Sequence, residues 1–375
     1  MGRTRRASIL AAGLPPKARL PLLALGFVAL VVGATAGLAR LGVAMPAAAV
    51  AASGLHGPLM VGGFFGTVIA LERAVAVGRG WAYLAPLAAA LGVLALLIGA
   101  PWAGSVLLVA SAAGLLAATL DVLRRQTALF TFTLAVGAAA LLVGHALWAA
   151  GRPVVDALPW WLAFLVLTIA GERLELSRFL PPSPRAKQVF ALLLAVVVAG
   201  AVAAPWNAQG FGVGLLGLAA WLLKQDIARR TVHGKGLTRF IAVCLLAGYG
   251  WLALGGALLA LGATPGSLAH DAALHAITLG FVFSMVFGHA PIILPAVTRF
   301  ALPYHPIFYA PLALLQASLV VRVAGDALAD LDVTRAGAIL NALALAAFLI
   351  NTVAAVLRGR SKPRRSAAEA SSSDS

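Results

Sequence analysis

Long apolar stretches separated by short polar loops follow one another along almost the whole chain. Each stretch is continuous rather than alternating, and each approaches the roughly 20 residues that an α-helix needs to cross a bilayer core. Transmembrane β-strands alternate between apolar and polar positions, so these runs favour an all-α polytopic membrane protein and exclude a β-barrel. The pattern predicts twelve membrane helices, at about residues 20–39, 56–76, 82–100, 102–122, 127–149, 157–177, 187–204, 210–227, 238–262, 270–297, 304–324 and 335–357.

Composition agrees with a chain that lies in a membrane. Hydrophobic residues make up 62% of the 375 residues and charged residues only 11%, with a mean hydropathy of +0.98. A soluble domain typically carries about 25% charged residues. The predicted loops leave no room for a separate soluble domain, so we divide the chain into a basic tail (1–19), a twelve-helix domain (20–357) and a second tail (358–375). The second tail ends in a low-complexity stretch of serine and alanine and is predicted to be disordered.

The basic residues predict the orientation of the bundle. A net charge of +16 would suggest nucleic acid in a soluble protein, but here the lysines and arginines cluster in alternate loops. With the amino terminus inside, 24 of the 28 basic residues face the cytoplasm, and only Arg40, Arg152, Arg322 and Arg335 do not. Such a bias is the positive-inside signal of a plasma-membrane protein. We therefore expect an inner-membrane protein surrounded by lipid, with both termini cytoplasmic and no nucleic-acid partner.

Polar residues single out three helices, the second, sixth and tenth. The tenth carries His275 and His289, the second opens near His56 and ends at Glu72, and the sixth ends at Glu172. Each of the two glutamates is followed by an arginine, which hints at a four-helix repeat and a pseudo-threefold bundle. Ionisable groups at membrane depth are costly, so a functional role is their default interpretation. They sort into an outer layer with His56 and His275 and an inner layer with Glu72, Glu172 and His289.

Structural explanations compete with the functional ones. The histidines could serve helix packing, His289 could mark a helix end opened by the prolines that follow it, and His145 at the outer end of the fifth helix could reach the interface. The two Glu-Arg pairs could form ion pairs across the second and sixth helices. Tyr249 is isolated in the sequence and is given no chemical role. The single cysteine, Cys244, excludes disulfides within the chain and a cysteine-based metal framework.

The outer layer suits haem. Two neutral imidazoles from different helices at one depth are what a six-coordinate haem iron requires, and helical bundles supply such ligands from facing helices. His56 and His275 meet this description. His145 could serve a second metal or contact a haem propionate. The inner layer of Glu72, Glu172 and His289 could bind a further metal, such as copper, or pass protons.

Twelve helices with both termini inside, and histidines at the outer parts of the second and tenth, resemble the haem–copper oxidase subunit I superfamily. Within that superfamily the chain more nearly resembles the NnrS-type branch. These are haem- and copper-containing membrane proteins linked to nitric oxide stress. The resemblance implies haem b ligated by His56 and His275, together with an electron donor or a small gaseous ligand as partner. The histidines of the oxygen-reducing centre are missing from the sixth and seventh helices, so the resemblance does not extend to oxygen reduction.

Two further classes of function remain open. A proton- or metal-coupled carrier or channel would use Glu72, Glu172 and His289 as groups at pore depth. A structural or assembly subunit would need no cofactor at all.

Overall fold

The computed structural model describes residues 13–177 and 182–361. In these two ranges the chain forms a helical bundle whose twelve main helices coincide with the twelve predicted segments to within a few residues. They are α1 Pro16–Arg40, α2 Ser53–Val77, α3 Gly80–Leu97, α4 Pro101–Arg125, α5 Leu129–Ala149, α6 Val154–Leu176, α7 Pro184–Ala203, α8 Gln209–Gln225, α9 Gly236–Ala260, α10 Leu268–Thr298, α11 Pro306–Leu328 and α12 Leu331–Ser361. Short helices at Ala47–Ala51 and Ala228–Thr231 lie in the connections.

Eleven of these helices are long and apolar enough to cross a membrane. The remaining helix, α8, is shorter, with 17 residues. The helix bounds modify the predicted tails, since α1 begins at Pro16 and α12 continues to Ser361. The rest of the two tails, residues 1–12 and 362–375, lies outside the described residues.

Local sequence explains where several helices begin and end. Proline occupies the first turn of α1, α4 and α7, where its missing N–H removes no helical hydrogen bond. The Ser267 side chain accepts a hydrogen bond from the backbone of His270 and so caps the start of α10. Gly78 ends α2 in the left-handed conformation, at a φ of 69°. The prolines of α10, Pro291 and Pro295, do not end it, because the helix runs on to Thr298.

Sequence neighbours pack together, and α10 lies at the centre. Close pairs are α3–α4, α4–α5, α5–α6, α7–α8, α8–α9 and α11–α12, as short connections require. By contrast α10 contacts α1, α2, α6, α9 and α11. The three helices singled out by their polar residues meet there: Gly57 of α2 faces Trp161 of α6, and Phe64 of α2 stacks on Phe283 of α10, with ring centroids 5.9 Å apart.

Both α2 and α10 contain an eight-residue π-helical segment. In α2 it spans Leu59–Gly66 and begins three residues after His56, and in α10 it spans Ala276–Phe283 and begins directly after His275. π-Helical turns are rare and occur frequently at functional sites. In this chain each one follows a histidine of the predicted outer layer.

Candidate functional site

His56 and His275 come together in the bundle. The two half-buried imidazoles lie within electrostatic range of each other, and Arg40 and Arg322 lie within the same range of His56. We call His56 and His275 the histidine pair. The structure thus places His56 of α2 and His275 of α10 near each other, and their predicted role as haem ligands stays a prediction.

Helix α1 fixes the ring of His56. The Nδ1–H donates to the carbonyl oxygen of Gly33 at 2.7 Å, since a carbonyl can only accept. One turn further along α1, a side chain at Gly37 would begin 2.8 Å from the imidazole Nδ1 and Cε1 atoms. Glycine at this position therefore lets the ring approach the α1 backbone closely.

His275 is held from its own helix. Its Nδ1 lies 2.9 Å from the carbonyl oxygen of Asp271 and 3.3 Å from that residue's Oδ2 atom. The same Oδ2 accepts a hydrogen bond from Arg322 Nη2 at 2.9 Å. In both members of the histidine pair Nδ1 is thus the donor nitrogen, so each neutral ring keeps the Nε2 lone pair for another partner. Metal-ligating histidines characteristically show this arrangement.

His145 is engaged in packing. It is 1% exposed, and its Nδ1 accepts a hydrogen bond from Trp161 Nε1 at 3.1 Å. A side chain at Gly62 of α2 would begin 2.8 Å from the His145 ring. An accepting Nδ1 places the proton of the neutral ring on Nε2. This geometry suits a histidine that joins α2, α5 and α6, and its predicted role toward a metal or a propionate stays a prediction.

Glu72 and Glu172 approach one another at the other end of α2 and α6. They lie within electrostatic range, and Arg73 lies within the same range of both. Neither carboxylate makes a hydrogen bond or an ion pair in the part of the chain that the structure describes. We call Glu72 and Glu172 the carboxylate pair. The interpretation that their neighbouring arginines form ion pairs with them across α2 and α6 is wrong for Arg173, which binds another carboxylate.

That carboxylate is Asp226, in the connection after α8. Arg173 donates to it through Nε at 2.7 Å and Nη2 at 3.0 Å, and the Tyr249 hydroxyl donates to it at 2.6 Å. The Ala228 backbone N–H adds a fourth hydrogen bond at 2.8 Å. Burial by itself would raise the pKa of the Asp226 carboxyl, but these hydrogen bonds and the positive charge of Arg173 outweigh it and lower the pKa below its ordinary value.

His289 faces this ion pair instead of the carboxylate pair. Its Nδ1 donates to the carbonyl oxygen of Met285 at 2.8 Å, and its Nε2 lies 3.5 Å from Arg173 Nη1. Within the described ranges no group of three or more His, Cys, Asp or Glu side chains is arranged to hold a metal ion. The residues of the predicted inner site, Glu72, Glu172 and His289, are accordingly divided between two places. Glu72 and Glu172 form the carboxylate pair, and His289 lies beside the guanidinium of Arg173.

Comparison with known protein families gives a match that covers most of the chain. Residues 19–357 match the family model described as Domain of unknown function (DUF8744). The chain belongs to the DUF8744 family. No curated protein matches the chain. The DUF8744 match spans the bundle from α1 to α12, and its description assigns no activity. It also provides no link to the NnrS-type proteins, so that resemblance stays a prediction.

The sequence did not reveal four residues of the DUF8744 bundle that contact His275, bind its Asp271 partner, or form the ion-pair network beside His289. They are Asp226, Tyr249, Asp271 and Arg322. For Asp271 a signal was present, because a carboxylate four residues before a histidine lies on the same helix face. Nothing in the sequence pattern predicted a role for Asp226 or Tyr249, because both lie far from Arg173 along the chain.

Proposed function

We propose that this chain is a haem-binding integral membrane protein with His56 and His275 as the axial ligands. The observation that carries the proposal is the state of the histidine pair: two neighbouring imidazoles from different helices, each with Nδ1–H bound to a backbone carbonyl and Nε2 available. Haem iron ligated in this way supplies one-electron redox chemistry.

The surroundings of the histidine pair fit a haem. A haem carries two propionates, which cations stabilise, and Arg40 and Arg322 both lie within electrostatic range of His56. The Nε atom of Arg322 is buried and has no hydrogen-bond partner among the described residues. A buried donor of this kind is costly unless another group accepts from it. The propionate of a bound haem would be such an acceptor.

The wider proposal follows the resemblance. We infer an NnrS-like protein with haem b, and with copper or another transition metal as a further candidate, that takes part in nitric oxide or redox stress or in respiratory metal-centre biology. Its partner would be an electron donor or a small gaseous ligand. We place it in the inner membrane with cytoplasmic termini and with α2, α6 and α10 related by a pseudo-threefold arrangement. The twelfth crossing would be α8, whose 17 residues extend about 26 Å, close to the bilayer core of roughly 30 Å.

Visible spectra of the purified protein test the haem proposal. After expression with ample haem, we expect low-spin bis-histidine bands in the oxidised and reduced protein and a haem b product on extraction into pyridine. His56→Ala and His275→Ala should each lose these bands. His233→Ala, in the loop after α8, is the matched control and should keep them. A colourless wild-type protein, or bands that persist in both ligand variants, would refute the assignment.

A second candidate, a proton- or metal-coupled carrier that uses Glu72, Glu172 and His289, is favoured by the carboxylate pair. Two carboxylates that have no hydrogen-bond partner among the described residues are expensive to keep at membrane depth unless they bind a proton or a cation. Flux of protons or divalent metal into liposomes that Glu72→Gln and Glu172→Gln both abolish would support the carrier. Absence of flux in the wild-type protein would exclude it.

A further inference from the structure

The two members of the histidine pair differ in the charge of their hydrogen-bond partners. Within residues 13–177 and 182–361, the acceptor of the His56 Nδ1–H is a neutral backbone carbonyl, that of Gly33. The Nδ1 of His275 lies beside both a carbonyl and a carboxylate of Asp271, at 2.9 Å and 3.3 Å. The histidine of α10 is therefore the one whose donor proton faces a negative charge.

Arg322 of α11 holds this carboxylate in place. Its side chain is 8% exposed and donates to Asp271 Oδ2 at 2.9 Å. The backbone of Arg322 is itself fixed, because a side chain at Gly337 of α12 would begin 2.4 Å from the Arg322 amide nitrogen. Close packing of α11 on α12 thus sets the position from which Arg322 reaches across to α10.

Asp326 is the other carboxylate within reach of this group, one turn along α11. Its Oδ1 accepts a hydrogen bond from the Thr334 hydroxyl at 3.0 Å, and its Oδ2 has no partner among the described residues. Arg322 therefore donates to the carboxylate beside His275 and not to the one on its own helix. Arg322, Asp271 and His275 form a continuous chain from cation to carboxylate to imidazole, which we call the Arg–Asp–His chain.

An imidazole whose second N–H faces a carboxylate is a more basic ligand, and such partners tune the metal that the imidazole binds. We propose that Asp271 is a positioning residue that orients His275 and lowers the reduction potential of the bound haem, and that Arg322 moderates its effect. This inference rests on the proposed haem site. A more basic ligand stabilises ferric over ferrous iron, so removal of the carboxylate charge raises the potential.

Redox titration of the haem-loaded protein tests this inference. Asp271→Asn keeps the shape of the side chain and removes its charge, and we expect a tenfold shift of the equilibrium toward ferrous iron, equal to a rise of 59 mV for one electron. Arg322→Gln should lower the potential, because it removes a cation and leaves the Asp271 charge unbalanced. Asp156→Asn at the start of α6, whose carboxylate pairs with Arg152, is the matched control and should leave the potential unchanged.

The opposite signs separate an electrostatic role from a structural one. If Asp271 and Arg322 only held α10 in place, both substitutions would disturb His275 in the same way and the low-spin bands would weaken in both. Equal potentials in wild type and Asp271→Asn, with the low-spin bands retained, would overturn the inference while leaving the haem proposal intact. A wild-type protein without haem would overturn both.

Discussion

Replacing Asp226 by asparagine removes the charge that balances a buried guanidinium. Asp226 and Arg173 are 8% and 7% exposed, and the carboxylate accepts four hydrogen bonds, two of them from Arg173. In Asp226→Asn one oxygen becomes an NH₂ group that would face N–H donors of Arg173. The guanidinium then stays buried without a counter-charge.

The structure sets the size of the effect. Removing one partner of a buried ion pair costs about 3–5 kcal/mol. A count of hydrogen bonds agrees, since each bond to a charged group is worth about 1.5–3 kcal/mol and Arg173 makes two. The network also joins α6, the end of α8 and α9, so its loss should loosen three helices together. Replacing both residues by apolar ones, as in Arg173→Met with Asp226→Leu, should cost less than Asp226→Asn alone.

The pH dependence of stability gives an independent check. The folded-state pKa of Asp226 is lowered, so its stabilisation is fully present above the unfolded-state value, about 3.9, and is lost as the pH falls from there through the folded value. Between neutral pH and about pH 4, the free energy of unfolding of the wild-type protein should therefore exceed that of Asp226→Asn by a constant margin. Below about pH 4 that margin should shrink.

The free energy of unfolding is measured by reversible denaturation in mixed micelles at several pH values. Asp332→Asn is the control: its side chain is 91% exposed in an ion pair with Arg335, and such pairs contribute at most about 1 kcal/mol. A loss of less than about 1 kcal/mol in Asp226→Asn at neutral pH, or a margin that grows as the pH falls, would refute the reasoning.

Two further substitutions test the site and the topology. Gly37→Ala places a Cβ atom 2.8 Å from the ring of His56, so we expect displacement of the ring and loss of at least half of the bound haem, measured by absorbance per protein. Gly250→Ala in α9 meets nothing within 4 Å and should retain haem. In a cysteine-free background, Asn207→Cys and His233→Cys flank α8, and a membrane-impermeant thiol reagent should label them from opposite sides of the membrane.

Each test has a clear contrary result. Full haem content in the Gly37 variant would mean that the close contact with α1 does not position His56. Labelling of both cysteines from one side would mean that α8 does not cross the membrane, and it would also reverse the predicted orientation of the helices after it.

The helices could be predicted because the bilayer restricts what the chain can do. A segment in hydrocarbon must satisfy its backbone hydrogen bonds internally, so about 20 apolar residues imply a helix regardless of tertiary contacts. The twelve predicted segments accordingly match the observed helices closely. The π-helical segments in α2 and α10 were not predictable, because they depend on packing at the centre of the bundle. Their amino-acid composition does not set them apart from the α-helical segments of the bundle.

The sequence predicted some side-chain neighbours and not others. The identity of the histidine pair followed from depth, since His56 and His275 lie near the same ends of their helices. The partner of Arg173 did not follow, because Asp226 approaches it from a connection 53 residues later in the chain. For the same reason depth along the helices groups His289 with Glu72 and Glu172, although its ring lies next to Arg173.

An aromatic layer separates the histidine pair from the carboxylate pair, and this favours the haem proposal over the carrier. Phe64 lies eight residues after His56 and eight before Glu72, midway between them along α2. Phe64, Phe65 and Phe283 are at most 4% exposed, and their ring centroids are 4.8–5.9 Å apart. A carrier must open this layer in every cycle, which would require the two π-helical segments that bear these rings to move. A haem bound by the histidine pair would not have to cross this layer, so these rings could stay packed.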